Sequence, residues 1–215
     1  MSSLSKKLAS YKSDFKTRTP VEILETINRS ISLFQEHSAL KSVLQVGQTF
    51  PSFELADING QLFNSKALIQ DNPLILTFVR GGWCPYCVLE TQMWQQYFEK
   101  SKSTLNIVAI TPEKPEFAKS MQSENNLSFP LLFDSGLCFA EQLGLVWKTD
   151  DAMKQQLLKW DINLTERHCT PTFNLPVPAT FVIDKKGVIQ FRFIEEDYSS
   201  RAEPDDVLAI YNRLI

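Results

Sequence analysis

The segment Arg80-Gly81-Gly82-Trp83-Cys84-Pro85-Tyr86-Cys87 places two thiols three residues apart, just after the apolar run Leu74 to Val79. If a helix starts at Cys84, both sulfurs share one helical face within reach of a disulfide. A helix start also gathers unpaired backbone N–H groups and the positive dipole end near the first sulfur, which favours the thiolate. The thiolate is the species that attacks disulfides and peroxides. Cys84 is therefore the expected nucleophile. Cys87 is the expected resolving thiol, able to close a disulfide on a mixed disulfide or a sulfenic acid. Pro85 suits the first helical turn, where no N–H is needed. Trp83 is expected to shield one side of the site, and Tyr86, read as an exposed aromatic between the thiols, to tune access. Arg80 is a candidate cation beside the thiolate, against the plainer reading of a strand-end arginine pointing to water.

Neighbouring residues add less. Glu90, three residues after Cys87, is read as a solvated helix residue before it is read as a proton acceptor for the second thiol. Arg192 and Arg201 are weaker cation candidates than Arg80. A structural zinc would need four ligands, and Cys138, His168 and Cys169 lack the usual paired spacing, so the cysteine pair reads as redox chemistry with no metal and no cofactor. Cys138 is expected to be a small packed hydrophobe, Cys169 a loop residue, and His37 a capping or surface residue.

The elements that must position these groups follow from periodicity. Leu74 to Val79 and Leu105 to Ile110 read as strands buried on both faces, with a helix from Cys84 to Lys100 between them: a parallel crossover unit. Helices are expected from Pro115 to Asn125, near Leu137 to Leu143, around Met153 to Trp160, and from Pro204, with a strand at Leu131 to Phe133. Thr165 to Pro176 reads as a loop. Ala179 to Ile183 and Val188 to Ile194 form a hairpin across Asp184-Lys185-Lys186-Gly187, and another turn falls at Asp57 to Gly60. Ahead of these, Leu4, Leu8, Tyr11 and Phe15 mark one helical face. Thr19-Pro20-Val21-Glu22 opens a second helix, with Thr19 as N-cap and Pro20 at its first position. Residues 1–45 thus form a helical extension, and 46–215 the redox domain. The apolar stripes of the extension suit packing on that domain, with a homodimer contact as the alternative.

The 215 residues are 43% hydrophobic and 22% charged, enough for one domain with a sizeable core. A net charge of -3 gives no basic excess for a phosphate backbone, which argues against nucleic acid. There is no apolar run of about 18 residues and no signal-like core at the N-terminus, so neither a membrane partner nor export is expected, and the chain reads as cytoplasmic.

The segments LTFVRGGWCPYC, VPATFVIDKKG and VGQTFPSFELADINGQLF, in that motif set, resemble the alkyl hydroperoxide reductase/thiol-specific antioxidant branch of the thioredoxin-like superfamily, and in particular its peroxiredoxin-like members. The resemblance runs from about Val46 to the C-terminus. It implies an α/β, thioredoxin-like fold: a central mixed sheet flanked by helices, with the N-terminal helical extension added. It also implies that Pro178 occupies the superfamily's cis-proline position facing the cysteines, and that Val177 offers its backbone to an extended substrate. The implied substrate is a hydroperoxide, or alternatively a protein or small-molecule disulfide, with an external thiol reductant such as a thioredoxin or glutathione system. Where peroxiredoxins usually carry a threonine and a proline ahead of the cysteine, this chain has Gly81 and Thr77. Where many have an arginine, it has Pro178-Ala179.

Overall fold

The computed structural model describes residues 3–37, 40, 43–102 and 104–215, so part of the end of the extension (38, 39, 41 and 42) lies outside the described residues. Helices α1 (Leu4–Arg18) and α2 (Val21–His37) precede a hairpin, β1 (Glu54–Ala56) and β2 (Leu62–Asn64), and a short α3 (Ser65–Leu68). Then come β3 (Leu74–Phe78), α4 (Pro85–Lys100), β4 (Ile107–Thr111), α5 (Pro115–Glu124) and β5 (Leu131–Phe133). After a 3-10 turn follow α6 (Cys138–Gln142), β6 (Val146–Trp147), α7 (Asp151–Lys159), α8 (Leu164–Arg167) and β7 (Leu175–Pro176). The chain finishes with β8 (Ala179–Ile183), β9 (Ile189–Ile194) and α9 (Pro204–Tyr211). No helix among the described residues is long and apolar enough to cross a membrane.

The central sheet has the order β5-β4-β3-β8-β9. β3, β4 and β5 run parallel, and β8 and β9 are antiparallel additions on the other side of β3. Every residue of β3 is buried because the sheet is covered on both faces. Alternation divides the strand between two cores: Leu74, Leu76 and Phe78 join α2, α6 and α7, whereas Ile75 and Val79 join α1, α4, α5 and α9. The first residues of α4 therefore emerge where both cores meet, and Trp83 packs against each of them.

The extension is built into this architecture. Leu4 and Leu8 of α1 are buried beside α4 and α9, and the N–H groups of Leu4 and Ser5 donate to the Glu203 carboxylate (2.9 and 3.0 Å). That carboxylate takes up helix-start donors that would otherwise lack partners. Two expectations need correction. Thr19 ends α1 in an extended conformation, as a residue before proline prefers, and the Pro20 carbonyl accepts the first bonds of α2, which begins at Val21. The polar stretch after Thr165 is not simply a loop: buried Leu164 anchors α8, and Leu175–Pro176 pair with Val146–Trp147.

Candidate active site

The turn from β3 into α4 depends on glycine. Gly81 has φ +135°, and a Cβ there would lie 2.2 Å from the Glu113 carboxyl carbon. Glu113 instead occupies that space and accepts the Gly82 N–H (2.7 Å) and Arg167 Nε (2.6 Å). Burial pushes its carboxyl up, and the Arg167 charge opposes the shift. The Cys84 N–H closes the turn on the Gly81 carbonyl (3.2 Å), Cys84 caps α4, and Pro85 opens it.

The two thiols are free and buried, at 2% exposure for Cys84 and 0% for Cys87. Their environments differ. The Cys84 thiol is lowered to about 6, first by the Cys87 S–H that donates to it; burial opposes, the Arg201 and Arg80 charges assist, and the Cys87 backbone N–H adds least. Cys87 is pushed well up by burial and then by that same hydrogen bond. Its sulfur accepts from the Arg80 backbone N–H (3.3 Å) and Arg201 Nη2 (3.4 Å).

Behind Cys87 lies a buried polar chain. Arg201 Nε donates to Glu90 Oε2 (2.6 Å), Thr77 Oγ1 donates to Glu90 Oε1 (2.7 Å), and Thr77 meets Thr180 at 3.3 Å. Arg201 Nη1 donates to the Tyr198 and Ser200 carbonyls. Burial raises the Glu90 carboxyl against the pull of Arg201. Burial works against the Arg201 charge, but Cys87 and Glu90 outweigh it and hold the guanidinium above its ordinary value. Glu90 is therefore no solvated helix residue: it shares the buried face of α4 with Cys87, Trp94 and Phe98. Arg201, ranked with Arg192 below Arg80 by sequence, is the guanidinium whose hydrogen bond reaches a site sulfur.

Arg80 leaves the strand end but does not reach water. It is 3% exposed, its guanidinium 4.3 Å from the Tyr198 ring centre and 4.7 Å from that of Trp147. Nε donates to the Pro176 carbonyl (3.4 Å), and Nη2 has no hydrogen-bond partner among the described residues. Arg80, Trp83, Cys84, Pro85 and Tyr86 line one side of a cavity of about 260 Å³. Tyr11, Phe15 and Ile27 of the extension, with Trp147, Met153, Leu157, Trp160, Ile162, Leu175 and Tyr198, close the remainder. Trp83 Nε1 is a second buried donor with no hydrogen-bond partner among the described residues. Tyr86 is 6% exposed, edge-on to Tyr11 (5.3 Å) and Tyr198 (5.7 Å), so the extension covers the aromatic that sequence had placed in solvent.

Val177 and Pro178 are buried. No described peptide bond is cis, so the bond before Pro178 is trans, and the Val177 N–H is used by the Leu145 carbonyl (2.9 Å). The β6–β7 ladder occupies this edge, and the cavity is lined from this stretch by Leu175 instead. Cys138 is exposed, not packed, and Cys169 is also exposed.

Residues 46–192 match the sequence profile of the AhpC/TSA family. The chain belongs to the AhpC/TSA family. It is 25% identical over 175 residues to the thiol-disulfide oxidoreductase ResA of Bacillus cereus, covering 80% of this chain and 83% of ResA. It is 28% identical over 181 residues to the thiol:disulfide interchange protein DsbE of Vibrio cholerae, covering 82% of this chain and 78% of DsbE. The crystal structure of peroxidoxin BcpB from Mycobacterium tuberculosis superposes with a TM-score of 0.59 at 19% identity, over 80% of this chain and 99% of BcpB. The fold is thioredoxin-like, and this AhpC/TSA chain is an oxidoreductase.

Proposed function

We propose that the enzyme reduces bulky apolar hydroperoxides, with Cys84 as the attacking thiolate and Cys87 as the resolving thiol. One observation carries this reading. Cys84 is almost wholly buried and lines a mainly apolar cavity beside Arg80 and Trp83, whose buried donors Arg80 Nη2 and Trp83 Nε1 have no hydrogen-bond partner among the described residues. A peroxide oxygen would satisfy such donors, and an unsatisfied buried donor is costly. The surrounding aromatic and aliphatic walls suit an apolar substrate body.

Cys84 attacks the terminal peroxide oxygen, the O–O bond breaks, and the alkoxide takes a proton and leaves as an alcohol. Arg80 and Arg201 offset negative charge during this step. Cys84 is then a sulfenic acid. Cys87 loses its proton and attacks the Cys84 sulfur; water leaves and the disulfide forms. The Glu90-held Arg201 lowers the cost of the Cys87 thiolate. An external dithiol reductant restores both thiols, so that one hydroperoxide and two thiols yield one alcohol, one water and one disulfide.

The ResA and DsbE relatives, together with the CPYC spacing, favour a second reading as a disulfide oxidoreductase. Rapid mixing of the reduced protein, followed by tryptophan fluorescence, separates the two. Faster oxidation by cumene hydroperoxide than by hydrogen peroxide or a protein disulfide is expected. Faster exchange with the protein disulfide would replace the peroxidase reading with the second.

A further inference from the structure

We propose that Cys138 and Cys169 form a second, surface redox pair whose disulfide staples the wall of the active-site cavity. The two cysteines lie 31 positions apart in sequence, and the fold brings the Cys138 sulfur and the Cys169 backbone together beside Gly136. A Cβ on Gly136 would stand 3.8 Å from the Cys138 sulfur and 3.3 Å from the Cys169 carbonyl oxygen. Gly136 has φ +66°, and the lack of a side chain there is what lets the Cys169 bend approach so closely.

Both partners are held from behind. The Asp134 carboxylate accepts the Phe139 and Ala140 N–H groups (2.8 and 2.9 Å) and fixes the start of α6 at Cys138. The His168 N–H is bonded to the Leu164 carbonyl (2.8 Å), and His168 bridges Glu113, which fixes the chain entering Cys169. Both thiols are exposed, hence open to a low-molecular-weight disulfide. One thiolate attacks that disulfide and releases one small thiol, leaving a mixed disulfide on the protein. The other thiolate then attacks the protein sulfur of the mixed disulfide and releases the second small thiol. Two protein thiols are oxidised to one disulfide, and the external disulfide is reduced to two thiols.

The segment between the pair carries Trp147, Met153, Leu157, Trp160 and Ile162 of the cavity wall. A bridge from 138 to 169 closes this segment into a loop and restricts it in the unfolded chain. The inference does not depend on which oxidant meets Cys84.

The test uses the full chain incubated in buffer rich in oxidised glutathione, then mapped by mass spectrometry without reduction. The expected result is a peptide linking Cys138 to Cys169 within one chain, and a Tm about 5 °C or more above that of Cys169→Ser treated in the same way. In the Cys138→Ser and Cys169→Ser proteins the remaining thiol should accumulate glutathione adduct at least about tenfold over wild type, because no neighbour resolves it. Separate glutathione adducts on both cysteines of the wild type, a link between two chains, two free thiols beside an oxidised Cys84–Cys87 pair, or a linked peptide without the rise in Tm would each overturn the proposal.

Discussion

Replacing Cys87 by alanine removes the S–H that contributes most to lowering the Cys84 thiol to about 6. A free cysteine titrates near 8.5, so at pH 7 it is only about 3% thiolate, whereas a thiol at about 6 is roughly nine-tenths ionised. A hydrogen bond to a charged acceptor contributes about 1.5–3 kcal/mol, and one pKa unit corresponds to about 1.4 kcal/mol, so losing the bond moves the midpoint up by about 1–2 units. Arg80 and Arg201 remain, and they keep the variant from returning fully to the free value. The pH dependence of iodoacetamide alkylation, read as the mass of the Cys84 peptide from about pH 5 to pH 9, gives both midpoints directly. At pH 6 the alkylation rate should fall from about half its maximum to about a tenth or less. Cys87→Ser, which keeps an O–H donor, should fall between wild type and alanine. A wild-type midpoint near 8.5, or an alanine variant with an unmoved midpoint, would refute the claim that the second thiol tunes the first.

Arg201→Met leaves Glu90 buried without its cation and should destabilise the protein by about 3–5 kcal/mol in urea unfolding; a change below about 1 kcal/mol contradicts the network. His168 is buried, and burial, helped by the Arg167 charge, lowers its pKa to about 4. The unfolded chain binds a proton there below about 6.5 while the folded chain does not, so stability falls as pH drops from about 6.5 towards 4, on the order of 3 kcal/mol in total. His168→Phe should show a correspondingly shallower loss over that window, and equal slopes for the two proteins would reject this assignment. Gly81→Ala should displace Glu113 and the turn before Cys84, lowering Tm by several degrees and slowing Cys84 alkylation together; unchanged values of both would show that the turn tolerates a side chain.

The sequence carried the local part of this site. Cys84-Pro85 at a strand-to-helix junction marks its own helix start, and the runs that became β3, β4 and β8 are apolar apart from one threonine each. The stripe of Leu4, Leu8, Tyr11 and Phe15 marks α1, although not that its Tyr11 would cover Tyr86. What stayed hidden depends on chain-distant contacts. Arg201 lies 114 positions from the Cys87 it approaches, and no local pattern links them. Glu90 had a legible signal, its place four residues before Trp94 on the apolar face of α4, but a charge alone on such a face reads as solvated until its partner is known. The short α8 and β7 hold through tertiary burial and pairing rather than propensity, so a polar stretch with proline concealed them. Family resemblance misled at Pro178, whose preceding bond is trans, and at Val177, whose N–H is taken by the Leu145 carbonyl next to the β6–β7 ladder.

The central claim is that a hydroperoxide oxygen is transferred to the Cys84 sulfur. Cys87→Ser protein, reduced and then mixed with one equivalent of cumene hydroperoxide in the presence of a sulfenic-acid trap, isolates that step from resolution. The account predicts one trapped sulfenic acid per chain, on the Cys84 peptide, and no comparable oxidation of Cys87 in the Cys84→Ser protein. Equal oxidation of Cys87 in Cys84→Ser, or an untouched Cys84 in Cys87→Ser, would contradict it.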